Sequence, residues 1–249
     1  MNFERDLLVN INFNSLQIKE RREKVREKTI GSSNNIKNGI ITKVSEEDLE
    51  TMFNYYDRYF LNNCFRNNFI GKIKFSFSKR MTRSAGLTIV PKNIAYLKQN
   101  EETYEIRMGI NFFLRYYDTI REKKVNGIVT KDALNALQLV FEHELCHIIE
   151  FYVFKNSNCK KQRFKSISKN VFGHESVYHQ LPTNSEIAKI QFGFKIGDKV
   201  SFTRSNKNFQ GFISSINKRA TIMVLDKDGR YVDVKGYKYS KYYVALDCL

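Results

Sequence analysis

Cysteine is sparse: Cys64, Cys146, Cys159 and Cys248 are widely spaced and form no CxxC pair. That spacing argues against a disulfide framework and against a cysteine-based zinc knuckle. No apolar run approaches the length of a membrane span. The opening Met1-Asn2-Phe3-Glu4-Arg5-Asp6 carries acidic residues and no apolar signal-peptide core. Internal repeats and low-complexity tracts are absent. The expectation is a cytoplasmic protein with reduced thiols and no membrane partner. Histidine is equally scarce, with four in 249 residues, all between His143 and His179.

Positive charge is abundant. Lys and Arg number 42 against 26 Asp and Glu, a formal net charge of +16, which favours polyanionic partners such as nucleic acid. The excess is uneven. Phe151 to Gly173 holds six basic residues and no acidic one, and the chain from Phe192 onward holds eleven basic and five acidic. With 42% hydrophobic and 27% charged residues, the composition is that of a globular chain able to bury its own core.

Along the chain, residues 1 to about 30 read as a charged helical arm: the run Ile18 to Lys28 mixes both charge signs with almost no apolar stripe, so alone it would be solvated or disordered. Gly31-Ser32-Ser33-Asn34-Asn35 reads as a linker. Ser45 followed by Glu46, Glu47 and Asp48 caps a helix bearing Leu49, Met52, Phe53, Tyr56 and Phe60 on one face. Ile73, Phe75 and Phe77 alternate with polar residues and predict a strand. Ser84–Val90 and Tyr104–Phe112 are further strand candidates. Thr130 is the expected cap of a long apolar helix from Lys131 to about Phe154. The basic stretch to Gly173 reads as a loop or broken helix.

Within the long helix lies His143-Glu144-Leu145-Cys146-His147. Residues four apart lie about 40° apart on one helical face, one turn up, so two imidazoles can share one tetrahedral zinc. Glu144 lies on the adjoining flank, free to take a proton from a water that zinc has acidified. It can then hand that proton to a leaving amine. The same spacing arises by chance in proteins without the chemistry; the helix context weighs against chance. His174, His179 and Glu150 are candidates for a third ligand. Glu150 sits two turns up from His143, which suits a hydrogen bond to an imidazole better than the metal. Cys146 points away from the histidine face and reads as a packing residue.

These residues resemble the SprT-like family of zinc metallopeptidases, whose eukaryotic relatives include the DNA–protein crosslink protease Spartan. The family shows HExxH on a helix and a downstream HGxxF-like motif, here matched by His174-Glu175-Ser176-Val177-Tyr178, with Glu175 in place of Gly and Tyr178 in place of Phe. Tyr55 to Leu61 resembles the family's aromatic-rich first helix. Lys72–Ser78 with Ser84-Ala85-Gly86 resembles its strand pair. Over residues 45 to 182 the resemblance implies an α+β zincin-like metallopeptidase domain with an active-site helix and a small antiparallel sheet. It implies Zn2+ held by His143, His147 and His174, with Glu144 as general base, protein substrates, and DNA association in preference to RNA.

After Phe192 the texture changes to short strands and turns: Asp198–Thr203, Gly211–Ile216, Thr221–Leu225 and Arg230–Val234. Asp228-Gly229 signals a hairpin between the last two. This predicts a small five-stranded SH3-like barrel, similar in its Phe194–Phe202 opening to KOW-type barrels. Lys199, Arg204, Lys207, Lys218 and Arg219 are candidates for a phosphate-facing patch. Tyr237, Tyr239, Tyr242 and Tyr243, interleaved with Lys238 and Lys241, suit single-strand stacking, or equally an ordinary exposed strand. The expected organisation is an arm and linker over 1–38, a metallopeptidase domain over 39–190 and a barrel over 191–249. The expected function is a zinc endopeptidase recruited to nucleic acid. The alternative is a nucleic-acid-binding adaptor whose zinc is purely structural, and a third reading is a zinc hydrolase of small molecules.

Overall fold

The computed structural model describes residues 7–249. It divides into two compact units, one ending at Leu181 and the other spanning Pro182–Leu249. The expected boundary near 190 therefore moves to Pro182. The first six residues of the expected arm lie outside the described residues.

The N-terminal segment is helical as expected, but it is not a separate solvated arm: helix α1 (Ser15–Ser32), capped reciprocally by Asn14 and Gln17, packs on the core. Its Ile18, Val25, Arg26 and Thr29 are buried. A hydrophobic stripe does not dock it. Ion pairs do: Arg22 to the buried Glu142 and Arg26 to the half-buried Asp132, each at 2.7 Å. Such pairs leave no periodic signal in a sequence.

A short hairpin follows, β1 (Ile36–Lys37) with β2 (Ile40–Ile41). Its turn residues Asn38 and Gly39 both take positive φ, as a two-residue hairpin turn requires. Helix α2 (Glu46–Phe60) starts at Ser45, whose hydroxyl accepts from the Asp48 N–H while Asp48 caps in return. Its apolar face, Leu49, Met52, Phe53, Tyr56 and Phe60, is buried. After the short α3 (Cys64–Asn68) comes a three-stranded sheet of β3 (Lys72–Ser78), β4 (Gly86–Ile89) and β5 (Thr103–Gly109).

The sheet order is β3-β5-β4. The expected neighbours β3 and β4 thus do not pair; β5 lies between them, parallel to β3 and antiparallel to β4. Tyr104, Ile106 and Met108 line the buried face of β5. The strand ends at Gly109 rather than Phe112, because Ile110–Leu114 turns into helix α4. Ile110 and Phe112 remain buried there, so apolar alternation alone could not show the change. A second hairpin, β6 (Lys124–Val125) and β7 (Ile128–Val129), leads into the central helix.

That helix, α5 (Ala133–Phe154), is capped by Asp132 rather than Thr130: the Asp132 carboxylate accepts from the Asn135 N–H. Burial along it is nearly continuous. Phe75 of β3 and Tyr56 of α2 both stack on its Phe141. The basic stretch beyond it is an intact helix, α6 (Gln162–Phe172). Its buried Phe164, Ile167, Ser168, Val171 and Phe172 recur at helical spacing, a pattern that the interspersed lysines mask.

The second unit opens with α7 (Asn184–Phe192), capped by Thr183. Five strands follow: β8 (Lys199–Arg204), β9 (Lys207–Ile216), β10 (Ala220–Leu225), β11 (Tyr231–Val232) and β12 (Lys238–Val244). They form one open sheet in the order β11-β12-β10-β9-β8, so the expected closed barrel is not formed. Asp228-Gly229 does not close a hairpin either, since β10 and β11 each pair with β12. With only two residues, β11 is too short to bridge to β8. Phe202, Ile213, Ile216, Ala220 and Ile222 make a small core together with Ala188 of α7. No helix among the described residues is long and apolar enough to cross a membrane.

Candidate metal centre

Buried polar groups on an apolar helix need partners, and α5 carries four: Gln138, Glu142, Glu144 and Glu150. The three carboxylates have different tasks, and two of them, Glu144 and Glu150, serve the surroundings of His143 and His147. The two histidine rings lie one turn apart with centroids 5.0 Å from each other. Phe164 of α6 packs against both, at 4.9 Å and 4.5 Å. Burial keeps both imidazoles neutral, His143 down to about 3 with help from the neighbouring His147, and His147 to about 4. Neutral imidazole is the form that ligates a metal.

The third donor brought to this place is Cys159. Ligand atoms of His143, His147 and Cys159 all lie within 4.8 Å of one another. The chain reaches that position by reversing after α5. Lys155 takes a left-handed φ of 58° and its N–H bonds to the Phe151 carbonyl. A turn around Asn158 follows, its side chain accepting from the Lys160 N–H and its carbonyl from the Lys161 N–H.

Glu150 holds that turn. Its Oε2 accepts from the Ser157 hydroxyl at 2.6 Å and from the Asn158 N–H at 3.1 Å, and its Oε1 from Arg163 Nε at 2.6 Å. Ser157 Oγ also lies 2.6 Å from His147 Nδ1. The serine has one proton, and it goes to Glu150. His147 must therefore donate from Nδ1, which leaves the Nε2 lone pair for a metal. The expected role of Glu150 as a support for an imidazole is thus met through Ser157.

Glu144 is buried against the start of β4. Thr88 Oγ1 donates to its Oε2 at 2.8 Å. Burial nonetheless pushes the carboxyl up to about 7, against the lowering effect of Thr88. Room for it comes from Gly86: a Cβ there would lie 2.6 Å from Glu144 Oε1.

Glu142 belongs to a separate network. It accepts from Arg22 at 2.7 and 2.8 Å and from the Tyr56 hydroxyl at 2.8 Å. His174 Nε2 lies 2.9 Å from Glu142 Oε2, so this nitrogen carries the proton. His174 is not gathered with His143 and His147 as Cys159 is; its Nδ1 is buried without a partner. The expected third ligand instead ties the end of α6 to α5. His179, the other candidate, packs edge-on against Phe112 at 5.1 Å and also falls outside the triad. Cys146 is buried, and burial pushes its thiol well up, in keeping with packing.

Lys199, Arg204, Lys207, Lys218 and Arg219 are all exposed. Arg204 and Lys207 face each other across the β8–β9 turn. Lys218 and Arg219 occupy the turn at the other end of the ten-residue β9, about 30 Å along an extended strand. The structure spreads these residues along the sheet rather than gathering them.

Sequence reasoning missed Cys159, Ser157 and Thr88. The readable signal for Cys159 was its place as the first ligand-type sulfur after the helix. Setting cysteine aside for want of a CxxC pair overlooked mixed His/Cys sites. A family model described as SprT-like matches residues 49–186. No curated protein and no solved structure matches the chain.

Proposed function

The chain belongs to the SprT-like family, and from that premise we propose that it is a zinc-dependent endopeptidase. The observation that carries the reading is the convergence of His143, His147 and Cys159 within 4.8 Å beside a buried carboxylate, Glu144. The donor set fits the metal: two neutral imidazoles and a thiol are zinc ligands, and three protein ligands leave a position open for chemistry. The hydrogen bond that fixes the His147 tautomer supports the fit.

Zinc bound there would acidify a water and polarise a peptide carbonyl. The residues of the chain then divide the remaining work. Glu144, with its proton affinity raised by burial to about 7, takes the proton from the attacking water and delivers it to the leaving amine. Thr88 holds Oε2 of Glu144, orienting the carboxylate. Ser157 and Glu150 hold His147. The strong basic charge of the chain supports action on proteins bound to nucleic acid, DNA–protein crosslinks among them. Lys199, Arg204, Lys207, Lys218 and Arg219 are exposed but spread along the sheet, so the recruitment reading rests on the overall charge and not on them.

The test is Glu144→Gln. Expected is full zinc content with protein hydrolysis lowered at least about 100-fold, the usual worth of a general base. Undiminished hydrolysis in that variant would overturn the mechanism.

A further inference from the structure

The basic stretch that follows α5 has a structural outcome that the metal centre does not use. Between α1 and α6 runs a groove of about 1100 Å³. Lys19 and Arg22 of α1 line one wall and Lys165 and Lys169 of α6 the other; Lys160, from the turn before α6, also contributes. On each helix these positions fall at three- and four-residue spacing, which places them on one face. Glu175 is the one acidic residue in the lining. Arg22 is committed to Glu142. Lys19, Lys160, Lys165 and Lys169 have no carboxylate partner among the described residues.

We propose that this groove binds the backbone of single-stranded nucleic acid. Unpaired ammonium groups facing one cleft repel one another, and a polyanion that enters relieves the repulsion while releasing its counterions. Lys165 and Lys169 stand one turn apart, about 6 Å, a spacing that neighbouring phosphates of an extended strand can match. Aromatic rings accompany the charge: Phe13 lines the groove half-buried, and Tyr178 lines it while 73% exposed. Charge with accessible rings is the pattern of single-strand binding, whereas bases in a duplex are stacked on each other and unavailable. His174, also in the lining, offers a buried Nδ1 that has no partner.

The groove and the metal centre share α6 and the turn before it. Lys160 directly follows Cys159, and Phe164 of the same α6 covers His143 and His147. A strand held here would keep its attached protein beside the metal. This inference rests on the recruitment reading above, and it places the contact on α1 and α6 rather than on the C-terminal sheet.

The test is fluorescence anisotropy of a labelled 20-nucleotide single strand with the full zinc-loaded chain, titrated at several salt concentrations. For Lys165→Glu with Lys169→Glu, the expected result is at least tenfold weaker binding. The slope of log K against log salt should fall by about 1.4, the single-strand value for two lost phosphate contacts. Tyr178→Ala, an exposed ring that the fold can lose, should weaken binding at least fivefold and leave the slope unchanged. Lys199→Glu with Arg204→Glu should change affinity less than twofold. If the wild-type chain binds no strand at low salt, recruitment itself fails, and the groove with it. If it binds but only the sheet variants weaken it, recruitment stands and the groove is overturned. Equal binding of a polyglutamate of matched charge would also overturn the assignment to nucleic acid.

Discussion

A methyl group on Gly86 would sit 2.6 Å from Glu144 Oε1 and 2.8 Å from its Cγ. Neither atom belongs to a loose side chain end, because Thr88 holds the same carboxylate. Gly86→Ala must therefore push the general base away from the metal ligands while leaving them in place. The expected outcome is unchanged zinc stoichiometry with hydrolysis lowered by about 100-fold, the cost of an ångström-scale misplacement. Metal analysis alongside steady-state kinetics checks it, and a drop in both would place the damage in the fold instead. At this scale the sequence was legible where chemistry is local. His143, Glu144 and His147 share one helix, and a four-residue spacing specifies their relation completely. Cys159 lies twelve residues after His147, on a turn set by the left-handed Lys155 and by Glu150. No spacing rule carries that geometry, so His174, the residue that matched a motif, drew the assignment away from the one the turn delivers.

At the scale of elements, periodic apolar faces identified α2, α5 and β3, while charge concealed α6 and the docking of the expected N-terminal helix α1. Helix α1 has almost no apolar stripe, and what anchors it is the Arg22–Glu142 pair, with Glu142 fully buried. Breaking such a pair leaves a charge without compensation in the core. Arg22→Met is expected to destabilise the first unit by about 3–5 kcal/mol, and the addition of Glu142→Gln to restore part of it. Urea unfolding of both variants measures this. Equal stability of the single variant and the wild type would mean that α1 is dispensable. Helix α6 was hidden by its lysines in the same way, although its buried positions keep strict helical spacing. The three-stranded sheet shows a different limit. Its strands were recognisable one by one, but alternation does not say which strand lies in the middle, and β5 rather than β4 neighbours β3. The open C-terminal sheet makes the same point, since turn chemistry at Asp228-Gly229 marks a reversal without fixing the partner of the next strand.

For the whole molecule, the histidines govern how stability depends on pH once zinc is removed. Burial holds His143, His147, His174 and His179 below their ordinary 6.5. As pH falls through 6.5, the unfolded chain takes up protons that the folded chain refuses, so stability falls. Glu144 acts in the opposite sense between 4.5 and about 7, because its folded carboxyl holds a proton that the unfolded chain releases. Four histidines outweigh one carboxyl, and each net proton counts for about 1.4 kcal/mol per pH unit. The chelator-treated chain should lose unfolding midpoint steadily from pH 7 to pH 5; a flat or rising midpoint would contradict this burial pattern. The metal centre itself is tested most directly by X-ray absorption at the zinc edge of the purified chain. One sulfur at about 2.3 Å with two imidazole nitrogens at about 2.0–2.1 Å is the result expected for His143, His147 and Cys159, and the sulfur should vanish in Cys159→Ser. A wild-type shell of nitrogen and oxygen alone would contradict the assignment.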